Sequence, residues 1–174
     1  MPITLHAAFV PSAQQMLGAT DHLIAKAEAW CAETGCGHGE AVGARLHETM
    51  LPFAYQVKSV AVHTAGAIDG VRAGVFSPDM TPPPQDFGGL RDAIAKAREA
   101  LEAASEDEME GFIGQAMRFE MGDFRLPFTA EDFLLSFSQP NFYFHAATAY
   151  DIMRMKGVAL GKRDFMGKLR IQRS

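Results

Sequence analysis

The stretch Phe133–Met155, FLLSFSQPNFYFHAATAYDIMRM, leaves little freedom in what this chain can become. Counted at 100° per residue, Phe133, Leu134, Phe137, Asn141, Phe144, Thr148, Ile152 and Met155 share one face, with His145 at its edge. The opposite side carries Leu135, Phe142, Ala146, Tyr150 and Met153 instead of charges. A helix that is apolar almost all round is covered on more than one side. It is therefore the central element of a bundle or part of a subunit interface, and it takes a few polar groups inward.

The remaining chain supplies partners of the right kind. A first long helix is expected from Ser12, a suitable N-cap, to about Thr34, with Gly35 and Gly37 at its exit. Ala13, Leu17, Thr20, Ile24, Ala27 and Cys31 line one side at 3–4 spacing. Ile3–Val10 reads as a short turn ahead of Pro11, and Glu40–His47 as a short helical turn. The second long helix is expected from a Thr49 cap to Gly74, with Pro52 in its first turn and a stripe of Phe53, Val57, Val60, Thr64, Ile68 and Val71. SPDMTPPPQD is a stiff connector. The third helix, Phe87 to about Ala104, repeats Phe87, Leu90, Ile94, Ala97 and Leu101. Gln115–Phe128 alternates around a Met121-Gly122-Asp123 turn and predicts a β-hairpin. Thr129 with Asp132 resembles a capping box for the fourth helix, which Pro140 should kink and Gly157 close. Four long helices with such stripes, in one domain over residues 1–174, make a mainly α protein: a four-helix bundle with a short β-hairpin between helices three and four.

Charge narrows the function classes. A net charge of −5 and a pI near 5.6 speak against nucleic acid, since phosphate binding needs a basic face. The one basic cluster, Lys162, Arg163, Lys168, Arg170 and Arg173, is expected to be solvated. No apolar run approaches the ~20 residues of a membrane span. MPITLHAAF lacks the basic start and apolar stretch of a signal peptide, so the expected compartment is the cytoplasm. There Cys31 and Cys36, a C-x4-C pair that is neither a redox motif nor a metal knuckle, are expected as free thiols.

Several segments resemble a bacterial family known as domain of unknown function nineteen ninety-three. They are MLG at Met16–Gly18, KAEA at Lys26–Ala29, and ARL followed by Met50, Pro52 and Gln56–Val57. The longest are PNFYFHAATAYDIMR at Pro140–Arg154 and GVALGKRDF at Gly157–Phe165. That family is similar to the DinB-like bundles, a superfamily of metalloenzymes that includes thiol-dependent transferases. The resemblance implies a four-helix bundle, often dimeric, with a divalent metal such as zinc or nickel on three histidines. One would come from the second helix and two from an HxxxH on the last.

This chain departs from that triad: His145 stands in the last helix, but four residues on is Ala149. Under the resemblance, the remaining metal candidates are His47, ahead of the second helix, and His63, about 100° off its buried stripe. Gln56 holds an inner position on the same helix, and Asn141 and Thr148 lie one turn either side of His145. Buried polar groups must be satisfied at a cost of ~1–3 kcal/mol if they are not. Gln56, Asn141, His145 and Thr148 are thus the candidate lining of a small-molecule pocket, or simply partners for one another. Tyr143, Tyr150 and the methionines are read as packing, and His6, His22 and His38 as surface. Glu106, Asp107, Glu108 and Glu110 lack a calcium-loop pattern and read as a solvated connector. No nucleotide, hydrolase or metalloprotease motif is present. The expectation is a cytoplasmic homodimer with a small-molecule pocket and a degenerate metal position. Its alternatives are a divalent-metal-dependent transferase or hydrolase using His145, or a non-catalytic binding or stress-response module.

Overall fold

Four helical rods supply most of the buried hydrophobic residues in a computed structural model of the chain, which describes residues 2–172. Helix α1, Leu5–Thr34, packs against α5, Phe87–Ala103, and against α8, Gln139–Lys156. Helix α3, Phe53–Val62, packs against α8 and α5 and continues as α4, Ala65–Ala73. The buried apolar side chains form one cluster, with Phe9, Phe53, Phe87, Phe133 and Phe142 fully enclosed. Among the described residues no helix is long and apolar enough to cross a membrane.

Several boundaries differ from the sequence expectation, each for an identifiable reason. Helix α1 starts at Leu5, capped by Thr4, and runs through Pro11 instead of beginning at Ser12. Proline inside a helix costs ~3 kcal/mol. Leu5, Phe9 and Val10 are all buried by keeping that turn, at about 2 kcal/mol each, which outweighs the loss. The short helical turn expected at Glu40–His47 is present as helix α2, but it spans His38–Gly43. Pro52, not Thr49, occupies the N-cap of α3. The second long helix is also broken: Thr64 sits at φ −107°, ψ −87°, and its hydroxyl donates to the carbonyls of Val60 and Ala61.

The acidic run is not a solvated connector. It forms helix α6, Glu106–Gly111, capped by Ser105. Glu108 pairs with Arg72 at 2.8 and 2.9 Å, and the His6 amide donates to Glu110. The hairpin is present as β2, Ala116–Met121, and β3, Phe124–Thr129, turning at Gly122 with φ +58°. It also gains a parallel third strand, β1, Val75–Phe76, in the order β1-β2-β3. Gly70 permits this, because a Cβ there would lie 2.9 Å from Cβ of Phe76.

The largest correction concerns the fourth helix. After a short turn α7, Ala130–Asp132, residues Phe133–Ser138 form a π-helical segment, closed by the Gln139 amide donating to Leu134 O. The irregularity thus precedes Pro140, which sits in the first turn of α8. A π-turn inserts one residue without advancing the helical phase. The face begun by Phe133, Leu134 and Phe137 therefore continues through Phe142, Ala146, Ala149 and Met153, while Thr148 and Ile152, expected inside, remain buried beside it. Phe144 and Met155, expected inside, are 58% and 55% exposed. Gly157 ends α8 in the left-handed region at φ +101°.

Helix α9, Lys162–Met166, is docked on the bundle. It lies against α1, with the Gln15 amide donating to Met166 O at 2.7 Å. Asp164 takes His22 at 2.8 Å and Lys26 at 2.9 Å. Arg173, counted with the basic cluster, lies outside the described residues. Cys31 and Cys36 are both free, and burial, helped by Cys36, pushes the Cys31 thiol up to about 11.

Candidate functional site

The break at Thr64 decides where His63 points. As the C-cap of α3 (φ −85°, ψ 3°), it leaves the helical path and turns its ring toward α8. There it stacks on His145, with ring centroids 5.7 Å apart and planes 13° from parallel. Gln56, two turns earlier on the same helix and buried to 3% exposure, also reaches His145. Its Oε1 lies 2.7 Å from His145 Nδ1, while its Nε2 donates to Leu51 O at 2.9 Å.

These bonds define the protonation of His145. Leu51 O can only accept, so it fixes the Gln56 amide with Oε1 facing the imidazole. That oxygen can only accept as well, so His145 Nδ1 carries the proton. Burial lowers the His145 pKa to about 4, so the ring is neutral near pH 7. Its Nε2 is then a lone pair with no partner among the described residues. His63 is likewise held neutral: burial, reinforced by the neighbouring His145, lowers it to about 4. Its Nδ1 is buried without a hydrogen-bond partner. A buried bare N–H is rarer and costlier than a bare acceptor, so the proton belongs on Nε2.

Aromatic side chains surround both rings. Phe76 from β1 lies 5.4 Å and Phe137 from the π-helical segment 5.9 Å from His63. Tyr55 lies 6.3 Å and Phe144 5.4 Å from His145. The cluster is therefore two neutral imidazoles, a clamped amide and a rim of aromatic rings.

The other candidates stand apart from it. Asn141 Nδ2 donates to Phe137 O at 2.7 Å and Thr148 Oγ1 to Phe144 O at 2.8 Å, so each satisfies its own helix. His47 is exposed and bonds Thr49 Oγ1 at 2.9 Å. Among the described residues no three of His, Cys, Asp or Glu converge as a metal-ligand set. A three-histidine centre needs three donors at ~2.0–2.2 Å, and here two imidazoles meet and the third stands elsewhere. The residues present do not fit that centre.

Sequence reasoning missed Tyr55, Phe76 and Phe137 as neighbours of the histidines. Phe137 was legible as an inward residue. Phe76 was not, because nothing in Val75–Phe76 alone signals that it joins a hairpin forty residues later.

The bundle with its side sheet is a DinB-like fold. It matches the crystal structure, at 1.83 Å resolution, of a DinB family member protein from Shewanella denitrificans, with a TM-score of 0.81 and 22% identity over 98% of this chain and 96% of that one. More narrowly, the chain belongs to the family described as Domain of unknown function (DUF1993), whose model matches residues 5–166. No curated protein matches it.

Proposed function

We propose that this protein is a cytoplasmic DinB-like bundle that binds a small neutral molecule at Gln56, His63 and His145, in what is a degenerate metal position. One observation carries the reading: the Gln56–His145 bond of 2.7 Å, which holds an uncharged imidazole with its Nε2 lone pair uncommitted. A lone-pair acceptor among Phe and Tyr rings suits a flat, uncharged ligand that donates an O–H or N–H. Charged ligands are disfavoured, because the site suppresses charge on its own histidines. Asn141 and Thr148 act at one remove, by fixing the backbone that carries His145. Phenol is a suitable probe. Its titration should shift the His145 ring nitrogens in long-range ¹H–¹⁵N spectra, and His145→Phe should abolish saturable binding. Equal binding to the variant would rule the reading out.

The proposal includes a homodimer. Leu51, whose carbonyl takes the Gln56 amide, and Phe144, beside the His145 ring, are 49% and 58% exposed and flank the cluster. A second copy seated on this apolar rim would enclose the histidines from the open side. Light scattering at micromolar concentration should give twice the chain mass, and a monomer would contradict it.

A second reading rests on the same tautomer. A histidine held by a hydrogen bond at Nδ1 with Nε2 presented is arranged as metal-ligating histidines are. His145 and His63 would then be two ligands of a divalent ion such as zinc or nickel, with His47 recruited or replaced by substrate, in a transferase or hydrolase. Stoichiometric metal, lost in His145→Ala, would select this reading.

A further inference from the structure

Away from the histidine pair, a groove of about 860 Å³ runs between the first half of α1, the C-terminal half of α5 and the segment from α9 to Arg170. None of Gln56, His63 or His145 lines it. Its volume lies within the ~300–1,000 Å³ of small-molecule sites. The lining includes an apolar set, Val10, Pro11, Ala19 and Leu101.

Four cations also line it: Arg98, Arg163, Lys168 and Arg170. Among the described residues none of them makes an ion pair. Two carboxylates are present, but Asp164 is already engaged by His22, Lys26 and the Gly161 amide, which leaves Glu102. Four unpaired cations beside one uncommitted carboxylate is a local inversion on a chain of net charge −5. Chance placement on an acidic protein would scatter such groups. Here α5 contributes one, α9 another and the following segment two.

The walls are braced from both sides. The Gln14 amide donates to Arg98 O at 2.8 Å and the Gln15 amide to Met166 O at 2.7 Å, so one turn of α1 ties down α5 and α9 together. Gly167, at φ +61°, lets the chain press against α1; a Cβ there would approach Ala19 Cβ to 3.1 Å. The groove is therefore formed before any ligand arrives, which limits the ordering cost of binding.

We propose that this groove binds a small amphipathic anion, an apolar body resting on Pro11 and the edges of Val10 and Ala19 with a carboxylate or phosphate head among Arg98, Lys168 and Arg170. Guanidinium groups suit both heads, because their paired N–H donors match two anionic oxygens. The inference is independent of the histidine site.

Two probes of similar shape separate the charge from the apolar contribution: 8-anilino-1-naphthalenesulfonate, an anion, and N-phenyl-1-naphthylamine, which is neutral. Fluorescence titration should show saturable binding of the anion. Arg98→Glu with Arg170→Glu should weaken it at least about tenfold, equivalent to ~1.4 kcal/mol, and change the neutral probe less than about threefold. Arg98→Gln with Arg170→Gln, checked for an unchanged unfolding midpoint, should give an intermediate loss and guards against misfolding. Displacement of the anionic probe by decanoate identifies a carboxylate head, and by decyl phosphate a phosphate head. The proposal is overturned if neither displaces it, if the charge-reversed protein binds the anion as the wild type does, or if His145→Phe abolishes its binding instead. It is also overturned if charge reversal turns a dimer into a monomer, for the groove would then be a surface between copies of the chain.

Discussion

His63→Phe separates what the ring contributes by shape from what its nitrogens cost. The phenyl ring keeps the aromatic contacts with Phe76, Phe137 and His145 and removes the buried, unpartnered Nδ1. At pH 7 the variant should match or exceed wild-type stability, by up to ~1–3 kcal/mol, the cost of an unsatisfied buried group. The larger effect is in acid. The folded-state pKa of His63 is about 4 against an ordinary 6.5, so between these values the unfolded chain binds a proton that the folded chain refuses. Stability contributed by the neutral ring is therefore complete above pH 6.5 and is lost as the pH falls toward 4. Linkage over that interval gives a loss of about 2 kcal/mol between pH 7 and pH 4.5 for this single ring. Urea unfolding followed by circular dichroism at the two pH values, at fixed protein concentration, reads the difference directly. His63→Phe should lose about 2 kcal/mol less than wild type on acidification, and His145, also lowered to about 4, should supply most of the remaining dependence. An identical acid loss in wild type and His63→Phe would mean that His63 is not held neutral by its surroundings.

Lys58, 7% exposed, donates to Asp79 O, Thr81 O and Thr81 Oγ1 and pairs with Asp79 at 3.0 Å, so one ammonium holds the proline-rich connector to α3. Lys58→Met should leave the helices folded but expose residues 77–86 to limited proteolysis; equal resistance would show that the connector is held by other contacts. Phe144→Glu, placed on the proposed dimer face, should halve the mass seen by light scattering, whereas an unchanged dimer would move the interface elsewhere. Protein purified without tag or chelator should carry well under one divalent ion per chain by plasma mass spectrometry, and added Zn²⁺, Ni²⁺ or Mn²⁺ should bind weakly. Near-stoichiometric metal would transfer the function to the metal-dependent reading.

The helical stripes were legible because burial obeys a period. Phe87, Leu90, Ile94, Ala97 and Leu101 are all buried as counted, and so are Phe53, Val57, Val60, Thr64, Ile68 and Val71. That count failed where backbone hydrogen bonding changed without a signal in the side chains. The π-turn at Phe133–Ser138 slipped the phase of α8, which left Thr148 and Ile152 buried as counted but exposed Phe144 and Met155 and centred the buried face on Phe142, Ala146 and Ala149. The break at Thr64 had the reverse consequence for the site, since it turned a histidine from the flank of the stripe into a partner of His145. Gln56 and His145 were both recognisable as polar groups facing inward, but their pairing across 89 residues follows only from how α3 meets α8. Asn141 and Thr148 were placed correctly near His145 in sequence, yet each had an i−4 carbonyl within reach, and that local bond won. The basic cluster offered no periodicity at all. Docking of α9 on α1 is what sets Arg163, Lys168 and Arg170 beside Arg98 in one groove.

The protonation of His145 tests the functional reading most directly. Long-range ¹H–¹⁵N spectra of uniformly labelled protein, recorded from pH 7.5 to pH 4.5, resolve the tautomer and titration of each ring. A neutral His145 carrying its proton on Nδ1 down to about pH 5, with that preference lost in Gln56→Leu, is the expected result. An imidazolium near pH 6.5, or a proton on Nε2, would leave His145 no uncommitted lone pair and would contradict both the clamp and the ligand chemistry built on it.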